Sequence, residues 1–154
     1  MPIAWRDRLP VRVSALTSTA MPGMFRPMTT VCFQADDGHA LQGRLHGDPQ
    51  CARAGVLIAP AMGVPSQRYG AFAQWLADQG FAVFTFHYRG VGGSRPQSGS
   101  LRHLDADIVT WARHDAGAAL AWLRAQLAAG TPIHWLGHSL WTQVCHWLQH
   151  APSS

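Results

Sequence analysis

A serine stands at a sharp turn near the end of the sequence. Residues 132–136 form a short apolar run that predicts a strand, and residues 137–140 (Gly-His-Ser-Leu) follow ahead of a segment that predicts a helix. A strand, a tight turn carrying a serine and a helix are the context of a nucleophile elbow, Gly-x-Ser-x-Gly, which exposes the serine hydroxyl above the end of a sheet. Gly137 and Ser139 fit this pattern, whereas Trp141 stands where the second glycine is usual. An exposed serine hydroxyl of this kind is a candidate nucleophile.

A serine hydroxyl is a poor nucleophile without a base, and the nearby histidines are poorly placed to serve. The side chain of His138 should diverge from that of its neighbour Ser139. His146 and His150 lie on the helix predicted behind the elbow. They could share one face of that helix, but two ligands without a third do not predict a metal site.

The composition predicts one globular domain without nucleic-acid or membrane contacts. The chain has 154 residues, of which 47% are hydrophobic, and its charged residues are 12 Arg and 8 Asp. Residues 1–28 carry four Arg and one Asp, whereas residues 29–154 carry eight Arg and seven Asp, so the body has no basic stripe. No stretch approaches about 18 consecutive apolar residues. Residues 1–28 lack the apolar core of a secretory signal and are expected to form a poorly ordered leader.

Three cysteines at wide, unrelated spacings argue against a disulfide framework and against a Cys-x-x-Cys metal or redox site. Reduced thiols and a cytoplasmic location are the simplest interpretation. The glycines of residues 90–93 do not complete a Gly-x-Gly-x-x-Gly fingerprint, because Arg95 occupies its sixth place and Pro96 follows. The sequence therefore predicts no cofactor.

The order of the predicted elements indicates an α/β fold. A hairpin over 29–46 turns at Asp37-Gly38, and buried strands are predicted at 54–59, 81–86 and 132–136. Helices are predicted from a Ser66 cap to Gly80, from an Asp105 or Asp107 cap to Gly130, and from Leu140 to His150. Strands alternating with helices predict right-handed crossovers and a mostly parallel sheet covered on both faces.

Three segments in this order resemble the first half of the α/β-hydrolase superfamily, in particular its serine-aminopeptidase-like and esterase-like members. They are residues 60–65 (Pro-Ala-Met-Gly-Val-Pro), residues 88–94 (Tyr-Arg-Gly-Val-Gly-Gly-Ser) and the Gly-His-Ser-Leu segment. The resemblance runs from about Thr29 to Val144. It implies a truncated α/β-hydrolase fold over 29–154: a three-layer sandwich whose mostly parallel sheet carries an antiparallel N-terminal hairpin.

The resemblance also implies site residues. Ser139 would be the nucleophile, and the backbone N–H groups of Leu140 and Met62 would form the oxyanion hole, with Ala61 or Gly63 as alternatives to Met62. Hydrolysis of a small-molecule ester, or of a peptide or amide bond, is the implied activity. His87 stands where the family usually has Asp, but a strand should separate it from the serine strand by about 10 Å.

Departures from the family pattern predict weak activity or none in this chain alone. The family's acid and base follow the serine, and no Asp or Glu follows Asp115 here. Trp141 brings roughly 150–250 Å² of surface into a tight turn, and overpacking costs about 1–3 kcal/mol. The serine strand should also be an exposed sheet edge, through which the chain could self-associate. A non-catalytic interaction module and a truncated or frameshifted gene product therefore remain alternatives.

Overall fold

A computed structural model describes residues 28–96, 100, 102, 104 and 106–142. The strands are β1 (Thr29–Gln34), β2 (Ala40–His46), β3 (Ala54–Ala59), β4 (Phe81–Phe86) and β5 (Ile133–Gly137). The helices are α1 (Gly70–Asp78), α2 (Ile108–Thr110) and α3 (Gly117–Gln126), with a π-helical stretch at Trp111–Ala116 and 3-10 turns at Ser66–Tyr69 and Gly92–Ser94. The predicted leader apart from Met28, the Asp105 cap and the last helix beyond Thr142 lie outside the described residues.

The five strands form one mixed sheet in the order β1-β2-β4-β3-β5. β1 pairs antiparallel with β2, and β2 with β4, whereas β3 pairs parallel with both β4 and β5. The parallel pairs are joined through helices, as the alternation of elements predicted. The predicted α/β class with an antiparallel N-terminal hairpin is confirmed.

The sheet is covered on both faces, which explains why β3 is a continuous apolar run. Every residue of β3 is buried. Leu57 and Ala59 face the larger core cluster with Trp122 and Leu123 of α3, while Val56 and Ile58 face a smaller cluster with Ala73 of α1. Since side chains alternate across a strand, one apolar strand supplies both cores.

Two of the predicted helix starts have different outcomes. The Asp107 carboxylate accepts the Thr110 N–H at 2.7 Å and caps α2, as predicted. The predicted Ser66 cap is wrong, because Ser66 opens a 3-10 turn without a side-chain cap and its hydroxyl contacts His87 instead. In the described part of the chain, no helix is long and apolar enough to cross a bilayer.

Candidate active site

Ser139 lies at the end of β5 in a left-handed backbone conformation. Its φ is 63°, the only positive value of a non-glycine residue in the described part of the chain. The turn is anchored on both sides: the His138 N–H donates to the Ala59 carbonyl at 3.2 Å, and the Thr142 hydroxyl donates to the Ser139 carbonyl at 2.7 Å. Ser139 is exposed. Strand, strained serine and helix start together make the backbone geometry of a nucleophile elbow.

Trp141, which replaces the usual glycine, is completely buried. Its indole stacks on the Tyr88 ring, with ring centroids 4.5 Å apart and an interplanar angle of 14°. Tyr88 in turn stacks on Trp111 at 5.4 Å. The fold thus accommodates the indole as part of the core cluster beneath the elbow, and the turn keeps its shape.

The loop after β3 makes a tight turn over Ala61–Val64. The Val64 N–H donates to the Ala61 carbonyl at 3.0 Å, and Gly63 has a φ of 73°, as the third residue of a type II turn requires. The Ala61 N–H is already used, because it donates to the Tyr69 hydroxyl at 2.9 Å. Among the described residues, the N–H groups of Met62 and Gly63 have no hydrogen-bond acceptor, so both stay open as oxyanion donors.

Tyr69 joins this loop to the elbow, a role the sequence did not reveal. Its hydroxyl lies 2.8 Å from His138 Nδ1, and the two rings meet edge to face. The sequence placed Tyr69 only within the helix predicted from Ser66 to Gly80. Its partners Ala61 and His138 lie 8 and 69 positions away in the sequence, and a local sequence pattern does not predict contacts between residues that far apart.

His87 is committed to a different network. It is buried at the end of β4, where Nε2 lies 3.0 Å from Ser66 Oγ and 3.2 Å from Gln67 Oε1. Burial, with a smaller contribution from the charge of Arg44, lowers the pKa of His87. β3 lies between β4 and β5, as expected, so His87 and Ser139 stand on strands that are not neighbours.

A buried ion network holds the segment after β4. The Arg89 guanidinium bonds Asp115 and Asp37, and the Arg89 N–H donates to Asp115 at 2.8 Å. The hydrogen bond from Arg89 lowers the pKa of Asp37, whereas burial raises the pKa of Asp115 and the contacts with Arg89 offset only part of that. Burial alone would lower the pKa of Arg89, but its two carboxylate partners outweigh that effect and raise it.

A cavity of about 360 Å³ separates this network from the loop after β3. Its walls include Gly63, Val91, Leu104 and Trp111, with Arg89 of the network at one side. The lining is largely apolar, with the turn of the candidate oxyanion loop at one side. A small apolar group is the ligand that such walls suit.

No described side chain hydrogen-bonds the Ser139 hydroxyl, and no described cluster of His, Cys or Asp could hold a metal ion. The histidine next to the serine, His138, is occupied by Tyr69. The described residues thus supply a strained, exposed serine and candidate oxyanion donors without a base at the serine.

Comparisons with known proteins agree with this geometry. Residues 50–152 match a family model described as serine aminopeptidase, S33. Among solved structures, an α/β hydrolase named GrgF from Penicillium sp. sh18 matches with a TM-score of 0.62 and 21% identity, covering 77% of this chain and 40% of that one. A thermostable carboxyl esterase from Bacillus coagulans has a TM-score of 0.64 and 21% identity, covering 77% of this chain and 38% of that one. A comparison with curated proteins gave no significant match.

A third solved structure, the esterase Pf2001 of Pyrococcus furiosus, has a TM-score of 0.63 and 17% identity, covering 81% of this chain and 48% of that one. This chain therefore spans less than half the length of these three structures. At these identities the likeness establishes the fold. The family match over residues 50–152 includes the loop after β3 and the elbow.

Proposed function

Because the chain belongs to the serine aminopeptidase S33 family of α/β-hydrolases, we propose that it carries the nucleophile half of a serine hydrolase site, with Ser139 as the nucleophile. The observation that carries this proposal is the φ of 63° at Ser139. A non-glycine residue in that region costs about 1–3 kcal/mol and persists where the surrounding structure imposes it. At the end of a parallel strand, that conformation aims a hydroxyl out of the sheet.

The oxyanion hole would be formed by two backbone N–H groups. The Leu140 N–H follows the nucleophile, and the Met62 N–H lies at the tip of the turn after β3. Tyr69 occupies the N–H of Ala61, which supports Met62 over that alternative. Gly63 is the remaining alternative, and its positive φ supports a role in shaping the turn. These donors would stabilise the negative charge that develops on a carbonyl oxygen under attack.

A small ester is the substrate class that the surroundings support best. The cavity of about 360 Å³ beside Gly63 has room for the group that flanks a scissile carbonyl. Trp111 and Leu104 give it an apolar wall, and the Arg89 guanidinium at its side is already paired with Asp37 and Asp115, which supports an acyl or alkyl group as the occupant. Peptide or amide bonds remain within the proposed reaction class, because the same nucleophile and oxyanion donors serve both.

We expect slow turnover from residues 1–154 alone. A serine hydroxyl without a general base loses most of its catalytic rate enhancement. The oxyanion hole and substrate binding alone still accelerate the reaction about 10³–10⁴-fold over the uncatalysed reaction in water. No described residue contacts the Ser139 hydroxyl as a base would. Single covalent modification is therefore a more sensitive readout of the site than repeated turnover.

The test is incubation of the purified chain with a fluorophosphonate probe and, in parallel, with a short-chain aryl ester. We expect slow, saturable labelling that mass spectrometry maps to Ser139, and little ester turnover. Ser139→Ala is the matched control, since it keeps a Cβ at the strained position and removes only the hydroxyl. Labelling that persists in Ser139→Ala would contradict the proposal, and rapid ester turnover would contradict the expectation of weak activity.

A second candidate is an interaction module that self-associates through β5, and the position of this strand favours it. β5 is an end strand of the described sheet. In its parallel register with β3, the backbone groups of Pro132 and His138 point at β3, so those of Ile133, Trp135 and Gly137 point away from it. Leu136 beside this edge is 40% exposed. An unpaired edge of this kind templates pairing with another strand.

In this second candidate function, two copies of the chain associate by pairing their β5 strands. Sedimentation velocity over a range of concentrations would give a monomer–dimer equilibrium. Leu136→Arg should shift it toward monomer, because it sets two like charges beside the paired edge. Gln79→Arg, on an exposed turn far along the chain, is the control. A monomer at every concentration would contradict this candidate and leave the serine chemistry unaffected.

A further inference from the structure

We propose that Tyr69 is a positioning residue that sets the separation between the candidate oxyanion donor on the loop after β3 and the serine of the elbow. The proposal rests on the proposed role of Ser139. It assigns to Tyr69 a function that its place on the first turn before α1 does not suggest. Tyr69 acts through Ala61 and His138 and does not itself touch the reacting atoms.

The hydroxyl of Tyr69 makes two hydrogen bonds, one to each segment. It accepts the Ala61 N–H at 2.9 Å and lies 2.8 Å from His138 Nδ1. A phenol has a single hydrogen, and the Ala61 amide supplies the hydrogen of the first bond. The Tyr69 hydroxyl therefore keeps its own hydrogen and a second lone pair for His138 Nδ1, and the tautomer of His138 sets the direction of that bond.

These two bonds bridge the two segments that must cooperate. Ala61 precedes Met62, the candidate oxyanion donor, by one residue, and His138 precedes Ser139 by one residue. The elbow is also tied to the end of β3 through the His138 N–H and the Ala59 carbonyl, at 3.2 Å. The phenol of Tyr69 thus hydrogen-bonds both the loop after β3 and the elbow, and holds one relative to the other.

The same bonds decide which N–H groups stay free. The Ala61 N–H is taken by Tyr69, and the Ala61 carbonyl closes the turn with the Val64 N–H. The next amide along the chain, that of Met62, has no acceptor among the described residues. An oxyanion donor must be free and aimed before the reaction, since its benefit comes from not having to reorganise. Tyr69 secures both conditions by holding the residue beside it.

The chain offers a matched pair of variants, because Tyr69 and Tyr88 are its two tyrosines. Tyr69→Phe removes the bridging hydroxyl and keeps the ring. Tyr88→Phe removes a buried hydroxyl that has no hydrogen-bond partner among the described residues. Both would be prepared as the full chain, and their thermal midpoints would establish that both are folded.

Two measurements test the proposal. The first is NMR of the chain without any probe: in Tyr69→Phe the Ala61 amide should exchange about tenfold faster, and the ¹⁵N shift of His138 Nδ1 should change because its hydrogen bond to the phenol is lost. The second is fluorophosphonate labelling of Ser139: the maximal labelling rate should fall by about tenfold, less than the 10²–10³ for removing a donor outright, with probe affinity unchanged. Tyr88→Phe should match the wild type in both measurements.

The two failures are distinguishable. A wild-type chain that is not labelled contradicts the proposed function, and the exchange and ¹⁵N data then decide the bridge by themselves. Unchanged Ala61 exchange in Tyr69→Phe overturns the positioning role whatever the labelling shows. Changed NMR signals with an unchanged labelling rate also overturn it, because the bridge would then exist without setting the geometry of the reaction.

Discussion

Gly137 lies directly against the backbone of Trp141 across the elbow. A Cβ atom built on Gly137 would stand 2.6 Å from both the carbonyl carbon and the carbonyl oxygen of Trp141, and 2.7 Å from the Thr142 nitrogen. Real Cβ atoms do not approach backbone so closely, and backbone cannot give way as a flexible side chain can. The close approach that the elbow needs is therefore provided by its first glycine, although its second glycine is replaced.

Gly137→Ala should accordingly be strongly destabilising. We expect a loss of about 2–3 kcal/mol in the free energy of unfolding, the upper part of the range for overpacking, measured by urea denaturation. Gly117→Ala is the control, since its Cβ would meet nothing within 4 Å inside the continuous helix. It should gain about 0.5–1 kcal/mol. Equal effects of the two variants would contradict the close packing of the elbow.

Trp141→Gly restores the usual second glycine of the motif and should nevertheless destabilise the chain. The indole is fully buried and stacks on Tyr88, so its removal leaves a large cavity beneath the elbow. Truncation of a buried aromatic residue costs about 3–5 kcal/mol. Urea denaturation measures the change, and Trp75→Gly, which removes an indole that is 56% exposed, is the milder comparison. A Trp141→Gly variant more stable than the wild type would mean that the indole strains the turn.

Much of the fold could be predicted from the sequence because its signals are local. The apolar run of β3, the Asp107 cap and the turn before β2 each lie within a few residues, and all three appear in the structure. The serine turn could be located for the same reason. Its strained φ follows from the Gly-x-Ser pattern after a strand.

The contacts that the sequence did not reveal join residues far apart in the chain. The Ser66 hydroxyl was assigned to a helix cap, its usual partner nearby, but it meets His87 across 21 residues. The place of Trp141 depends on Tyr88, which folds beneath the elbow from another strand end. A local sequence pattern identifies which residue types are available for such long-range contacts. The sheet topology decides which of them meet.

Ser139→Gly should stabilise the chain relative to Ser139→Ala. Both remove the hydroxyl, but alanine keeps a Cβ in the left-handed region and glycine does not. We expect the glycine variant to be more stable by about 1 kcal/mol. Relief of the left-handed strain stabilises it, and the greater conformational entropy of glycine in the unfolded chain offsets part of that gain. Both variants should lose fluorophosphonate labelling. Equal stability of the two would contradict the backbone strain on which the proposed nucleophile rests.

The free energy of unfolding should fall as the pH drops below 6.5, the ordinary pKa of histidine, in part because His87 then becomes protonated more readily in the unfolded chain. Burial lowers the pKa of His87 from its ordinary value of 6.5, so the unfolded chain takes up this proton more readily than the folded one. The stability that the neutral ring contributes is thus fully present above pH 6.5 and is lost as the pH falls from there toward the lower folded value. Burial also lowers the pKa of His46. His87 therefore accounts for only part of the dependence of stability on pH.

His87→Asn separates that part, because asparagine is polar but does not titrate. We expect urea denaturation at pH 7.5 and pH 5.5 to give a smaller difference in unfolding free energy for His87→Asn than for the wild type. Gln34→Asn, a non-titrating change at an exposed position on β1, should leave the wild-type difference unchanged. A difference that is the same in His87→Asn and the wild type would contradict this prediction, because it would mean that the pKa of His87 is the same in the folded and the unfolded chain.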